Sequence, residues 1–162
     1  LSVSMDGFHL SKKQLAALPN PQEALARRGA PWTFDPAGLA QRLRALKASP
    51  LASVNWPGFE HGVGDPVEGA LHIGTHISLV LVEGLYLLHQ GDGWQLDGLL
   101  DECWFLDVPL PTALQRLQAR HMAAWGISAE AAQARIAKSD QLNAELVQGH
   151  RGRADRLVAD GS

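Results

Sequence analysis

Three short apolar runs constrain this chain most: Leu1–Met5 (LSVSM), Ile77–Val82 (ISLVLV) and Cys103–Val108 (CWFLDV). They read as strands buried on both faces, the kind that belongs to a parallel sheet covered by helices. A weaker fourth candidate is Arg156–Ala159 (RLVA), near the carboxyl end. Between the strands the pattern is helical. Pro36–Lys47 has Pro in its first turn, Leu39, Leu43 and Leu46 on one face, and basic residues late, as the helix dipole prefers. Pro111–Trp125 repeats that grammar and stops at Gly126; Ser128 then caps a third helix predicted over Ala129–Val147. Strands alternating with helices predict an α/β fold: an open, mostly parallel sheet flanked by helices in three layers.

The length of 162 residues fits one domain. A net charge of −3 gives no electrostatic case for nucleic acid or an anionic membrane, so any bound phosphate would need local positive groups. Cys103 is the single cysteine, which rules out an internal disulfide or a thiolate zinc cluster and suits a reducing cytosol. No charged-then-apolar leader opens the chain, and no apolar run reaches the roughly 18 residues of a membrane span. The expectation is a cytoplasmic domain with a small-molecule partner. Pro50–Thr75 is rich in Gly and Pro and lacks periodicity, so it reads as a long loop with short extended pieces, a feature more often functional than idle.

Two of the buried runs lead directly into an acid followed by glycine: Met5-Asp6-Gly7 and Val82-Glu83-Gly84. In open parallel sheets the ligand site lies outside the carboxyl ends of the strands, so Asp6 and Glu83 would enter one crevice. Glycine after each acid would let the backbone turn sharply and a ligand approach closely. An apolar strand ending in an acid resembles the arrangement that orients magnesium in phosphoryl transfer. A single acid after a strand more often caps a helix or solvates a turn; the repetition is what carries weight. His9, three residues past Asp6, would sit at the mouth of the same crevice, where a neutral imidazole could bond a substrate hydroxyl. Arg116 and Arg120 lie four apart on one helix face, with Arg135 and Lys138 on the next helix. They fit either a solvated surface or a lid whose planar guanidinium forks cover a phosphate. Arg27-Arg28-Gly29 is a second basic pair, a surface turn or a substrate clamp, and Asp107 reads as structural.

The glycine-rich loop G-x-x-x-x-G-K-[ST], whose amides and Lys cradle phosphates, does not occur in the 162 residues: none of Lys12, Lys13, Lys47 and Lys138 follows a glycine. The motifs G-x-G-x-x-G, H-E-x-x-H and G-x-S-x-G are equally missing. His72 and His76 are spaced four apart, but in an extended-looking context that spoils helical metal geometry.

Taken in order, SMDGFHL, RRGAPWTFDPAGL, PGFEHGVGDPV, LVLVEGLYLL, FLDVPLPTALQRLQARH and SDQLNAEL resemble the uridine kinase, pantothenate kinase and phosphoribulokinase group of P-loop kinases. They look closest to its sparsely characterised, sugar-transport-associated branch. The resemblance implies a single P-loop kinase-like domain over 1–162, lacking the family's first strand, phosphate loop and helix. A substrate loop is expected at about 50–75 and a lid at about 116–140. It implies an ATP- and magnesium-dependent phosphotransferase acting on a hydroxyl of a small metabolite. The alternative is a non-catalytic ligand-binding or regulatory module derived from one. Asp6 matches the acid that orients or deprotonates the acceptor hydroxyl, and Glu83 the acid near magnesium at the end of the Walker-B-like strand. Arg116 and Arg120 match the lid over the phosphates, and Phe8, His9, Arg28, Phe59 and His61 fall in segments that shape the acceptor pocket. Members of the group often form homodimers, so a homodimer is a further expectation.

Overall fold

The computed structural model describes residues 1–48, 53–60 and 62–160. The chain divides into two compact units, Leu1–Asp101 and Glu102–Ser162. The first contains β1 (Ser2–Ser4), α1 (Lys12–Ala16), α2 (Pro21–Ala26), α3 (Pro36–Ala48), β2 (Val54–Glu60), β3 (Asp65–Ile73) and β4 (Leu81–Glu83). The second contains β5 (Trp104–Asp107), α4 (Leu110–Trp125), α5 (Ala129–Lys138), α6 (Asp140–Gly149) and β6 (Arg156–Ala159). Parallel strand pairs combined with helices make this an α/β protein, as the alternation of patterns predicts.

In the first unit β1 and β4 run parallel, with Ser2 opposite Leu81 and Ser4 opposite Glu83. The core beneath them is aliphatic and aromatic: Val3, Met5, Leu15, Leu39, Leu43, Trp56, Tyr86 and Trp94 are all buried. Fully burying side chains of this size contributes roughly 1.5–3 kcal/mol each. Trp56 also donates its indole N–H to the Ser4 carbonyl at 2.8 Å and stands edge-on to Phe8, with ring centroids 5.1 Å apart. α3 forms as its sequence demands, with Leu39 and Leu43 turned into this core.

The segment read as a long loop is instead largely an antiparallel hairpin. Val54 pairs with Ile73 at its base and Glu60 with Asp65 at its tip, with a register shift between Trp56 and Gly58. Pro57 lies at the shift, where its missing N–H interrupts the ladder at no loss. Gly69 on the opposing strand takes φ 65°, a left-handed conformation that glycine adopts freely.

In the second unit β5 and β6 run parallel, with Trp104 opposite Arg156 and Asp107 opposite Ala159. α4 ends where predicted: Gly126 takes φ 61° and returns its N–H to the Met122 carbonyl. The single helix predicted over Ala129–Val147 is two. Ser139 leaves helical geometry at φ −142°, and its carbonyl opens α6 by accepting from the Asn143 N–H at 3.2 Å. Ser139 is the N-cap by position only: its side chain makes no cap hydrogen bond, and its Oγ is buried without a partner among the described residues.

Burial corrects a second expectation. Within β1 only Val3 is buried, with Ser2 exposed and Ser4 half-buried, while Leu81 on β4 is 59% exposed, and Trp104 and Leu106 on β5 are 63% and 73% exposed. Among the described residues β4 pairs only with β1, and β5 only with β6. Their sequences are those of central strands, yet each here borders a sheet.

Candidate functional site

Asp6 leaves β1 on a 3-10 turn, Met5–Phe8, whose first N–H groups are met by Ser4: its Oγ accepts from the Asp6 N–H at 3.1 Å. Glu83 ends β4 and is exposed. Because β1 and β4 are parallel and in register neighbours, both acids leave the same edge of the pair. The glycines that follow serve a purpose other than the one expected. Neither Gly7 nor Gly84 has a positive φ. A Cβ on Gly7 would fall 2.1 Å from the Pro57 carbonyl oxygen, and one on Gly84 would fall 1.9 Å from Met5 Cγ. Both admit a protein neighbour.

His9 sits beside Asp6. Its Nδ1 lies 2.8 Å from the Asp6 carbonyl oxygen, which only accepts, so Nδ1 carries the hydrogen; the Asp6 carboxylate is 3.9 Å away. The imidazole is packed between Phe34 and Phe59, at centroid distances of 3.9 and 4.6 Å. Asp6, His9, Phe34 and Phe59 thus adjoin one another, with Phe34 buried and the Asp6 carboxylate partly exposed. Phe34 is held by Tyr86 and Trp94, whose ring centroids lie 5.5 and 6.0 Å from it. Tyr86 in turn donates its hydroxyl to the Gly29 carbonyl at 2.5 Å, and the Trp94 indole N–H donates to the Pro31 carbonyl at 3.2 Å. The RRGAPWTFD segment is thereby tied to VEGLYLL.

The other sequence candidates are placed differently. Phe8 turns into the core against Trp56. Arg28 directs its guanidinium at the carbonyls of Gly64 and Leu10 and at Asp65. His61 lies outside the described residues. Arg116 and Arg120 belong to the second unit on α4; Arg116 donates to Asp160 at 2.5 Å, and that carboxylate favours its charged form. Asp107 accepts a two-pronged bond from Arg151 at 2.6 and 2.5 Å, which lowers its pKa below the usual value. Sequence reasoning missed Phe34, Tyr86 and Asp65. The first two stand inside the motifs RRGAPWTFD and VEGLYLL, and Asp65 directly follows the Gly64 turn.

Among the described residues no three His, Cys, Asp or Glu side chains are gathered to hold a metal, and no helix is long and apolar enough to cross a membrane. No protein-family profile matches the chain. It is 40% identical over 160 residues to the ATP-dependent kinase-like protein notR' of Aspergillus versicolor, spanning 95% of this chain and 92% of that protein. It is 29% identical over 186 residues to the ATP-dependent kinase YFH7 of Zygosaccharomyces rouxii, of which it spans half the length. Among solved structures it superposes with a TM-score of 0.87 and 33% identity on a candidate fructose transport system kinase from a Silicibacter species. That match covers 98% of this chain and 74% of the other. YFH7 of Saccharomyces cerevisiae, described as a P-loop-containing candidate kinase with a circular permutation, matches with a TM-score of 0.84 and 26% identity over 98% of this chain and 57% of its own. On its parallel strands, its paired acids and these relatives, the chain belongs to the family of ATP-dependent kinase-like proteins with a P-loop kinase fold.

Proposed function

We propose that residues 1–162 carry the acceptor side of an ATP-dependent phosphotransferase acting on a hydroxyl of a small metabolite: a sugar, a nucleoside or a pantothenate-like alcohol. The observation that carries this reading is the Asp6 carboxylate, partly exposed at a strand end and adjoining the aromatic wall of His9, Phe34 and Phe59. In this role Asp6 orients the hydroxyl and takes its proton. General-base help of this kind is worth roughly 10²–10⁴-fold in rate. Phe59 and His9, both half-buried, would adjoin the acceptor, with the buried Phe34 behind them. Glu83 and Asp6 are hard oxygen donors, the chemistry that magnesium uses with one or two carboxylates plus substrate phosphates. Bound there, the ion would neutralise phosphate charge. Arg116 and Arg120, on α4 of the second unit, are the residues that the family resemblance assigns to phosphate.

Transfer would need a phosphate cradle, which residues 1–162 do not supply as a G-x-x-x-x-G-K-[ST] loop. A second reading, a binding module without transfer activity, draws support from notR', which is kinase-like by name and already spanned to 92% by this chain. In-frame sequencing of the coding DNA upstream of Leu1, followed by titration of the longest encoded form with magnesium–ATP, separates the two. A G-x-x-x-x-G-K-[ST] loop and saturable ATP binding support the kinase. A frame without that loop, with sugar or nucleoside binding but no ATP affinity, supports the module.

A further inference from the structure

The tip of the β2–β3 hairpin is strapped to the segment that follows His9. Asp65 Oδ1 accepts from the Lys12 backbone N–H at 2.8 Å and from Arg28 Nη2 at 3.2 Å. Arg28 donates to the Leu10 carbonyl at 2.9 Å and to the Gly64 carbonyl, while Lys12 Nζ donates to the Val63 carbonyl at 2.6 Å. Residues 63–65 are thus fastened to residues 10–12 from both sides. The Arg28 side chain is only 17% exposed, its terminal nitrogens are taken by these oxygens, and its Nε is buried. Among the described residues Nε has no hydrogen-bond partner, so the bonding of this guanidinium runs through its two terminal nitrogens to the strap. Its carbon centre lies 5.5 Å from the centroid of the Phe59 ring. At the tip Gly64 turns at φ 72°, and a Cβ there would come within 3.4 Å of Lys12 Cε and Nζ, so the strap lies close against the backbone it holds.

The strap's two ends adjoin the two members of a stacked pair. Leu10 directly follows His9 in sequence, and Phe59 immediately precedes the tip as the strand partner of Pro66. Fastening 63–65 to 10–12 therefore fixes how Phe59 meets the His9 imidazole. We propose that Arg28 and Asp65 are positioning residues: they set the acceptor pocket through the Phe59–His9 stack and do not touch the acceptor themselves. The consequence for substrate rests on the phosphotransferase reading above; the positional claim does not. A charged pair over a partly buried backbone latch suits this task, because charge-assisted bonds to carbonyls are stronger than neutral ones and fix direction.

The test is the NMR signal of the His9 imidazole in the 162-residue chain, compared with Asp65→Asn and Arg28→Met. Asparagine keeps an acceptor for the Lys12 N–H and loses the charge facing Arg28; methionine keeps an apolar stem and removes every bond of the guanidinium. Ring currents of Phe34 and Phe59 together set the His9 Hε1 position, and with Phe34 held by Tyr86 and Trp94 a shift of that signal reports Phe59. Both variants are expected to move that signal toward the positions of the exposed His72 and His76, Arg28→Met the further, while the Tyr86 and Trp94 signals stay in place. An unmoved His9 signal in either folded variant overturns the proposal. In a form that transfers phosphate, Asp65→Asn is expected to raise the acceptor KM about tenfold with kcat retained, the mark of lost uniform binding. A fall in kcat at constant KM would place the pair in the chemistry and overturn a positioning role. The imidazole signal needs no turnover, so its failure is distinct from failure of the phosphotransferase reading.

Discussion

The two parallel strand pairs are built alike and held differently. β1–β4 rests on a packed interior: Val3 and Met5 are buried, Trp56 caps the Ser4 carbonyl, and Tyr86 and Trp94 fasten the neighbouring loops. β5–β6 is held at its surface by charge. Arg151 grips Asp107, Arg156 grips Glu102, and Asp155 accepts the Cys103 N–H at 2.7 Å. Interiors respond to changes of volume, because close-packed side chains transmit strain. Exposed ion pairs respond to pH and salt and contribute little individually. The candidate acceptor site sits on the packed pair, where positions are set by contact and can be held to a fraction of an ångström.

Four perturbations probe that contrast. Trp56→Ala removes the largest fully buried side chain and its bond to Ser4, and is expected to cost about 3–5 kcal/mol. Hydrogen exchange should show lost protection in β1, β2 and β4, with β5 and β6 affected less; an equal loss in both pairs would erase the distinction. Gly7→Ala sets a methyl group against the Pro57 backbone carbonyl, whereas Gly84→Ala meets only the Met5 side chain. Both overpack, at roughly 1–3 kcal/mol, with Gly7→Ala the costlier because backbone cannot rotate away. Urea midpoints would rank them, and the reverse order would show that the turn after β1 is loose. Tyr86→Phe leaves the Gly29 carbonyl without its hydroxyl donor and is expected to cost about 1–3 kcal/mol, read from the same midpoints.

The smallest effect belongs to the charge-held pair. The Arg151 hydrogen bond depresses the Asp107 pKa, and the Arg156 hydrogen bond does the same for Glu102. A depressed carboxylate stabilises the fold above its ordinary pKa, and that contribution is lost as pH falls through the folded-state value. Among the helices of the same unit, burial lowers the pKa of His121, with Arg135 and Arg120 adding to the effect and Asp140 opposing it. Protonating His121 is therefore disfavoured in the folded state, so its contribution is whole above about pH 6.5 and declines below it. Residue-resolved exchange across pH 7 to 5 should show β5, α4 and β6 loosening, and His121→Phe should flatten that slope. A slope unchanged by the substitution would remove His121 as its cause.

What could be read from the sequence was local. α4 and its stop at Gly126, α3 with its Leu39–Leu43 face, and β6 follow from spacing and caps that neighbouring residues supply. The β2–β3 hairpin was hidden because its strands carry Pro57, Gly58 and Gly69, residues that argue against strand on their own and are held by pairing across the hairpin. The break at Ser139 was hidden because the apolar pattern continues through it and the serine makes no side-chain cap bond. At the candidate site, what was legible is that Asp6 and Glu83 follow strands of one parallel pair and leave its same edge. The task of Arg28 was not, since its partners Gly64 and Asp65 are 36 and 37 residues away and no local signal links them. For Gly7 and Gly84 the need for glycine was visible, but the neighbour that requires it was not.

The central claim is that Asp6 acts on the acceptor hydroxyl. Its most direct test is ATP-dependent phosphorylation of a panel of sugars, nucleosides and pantothenate-like alcohols by the longest in-frame form, beside Asp6→Asn. The account predicts turnover reduced by roughly 10²–10⁴-fold with ATP affinity retained. Turnover unchanged in Asp6→Asn would contradict it.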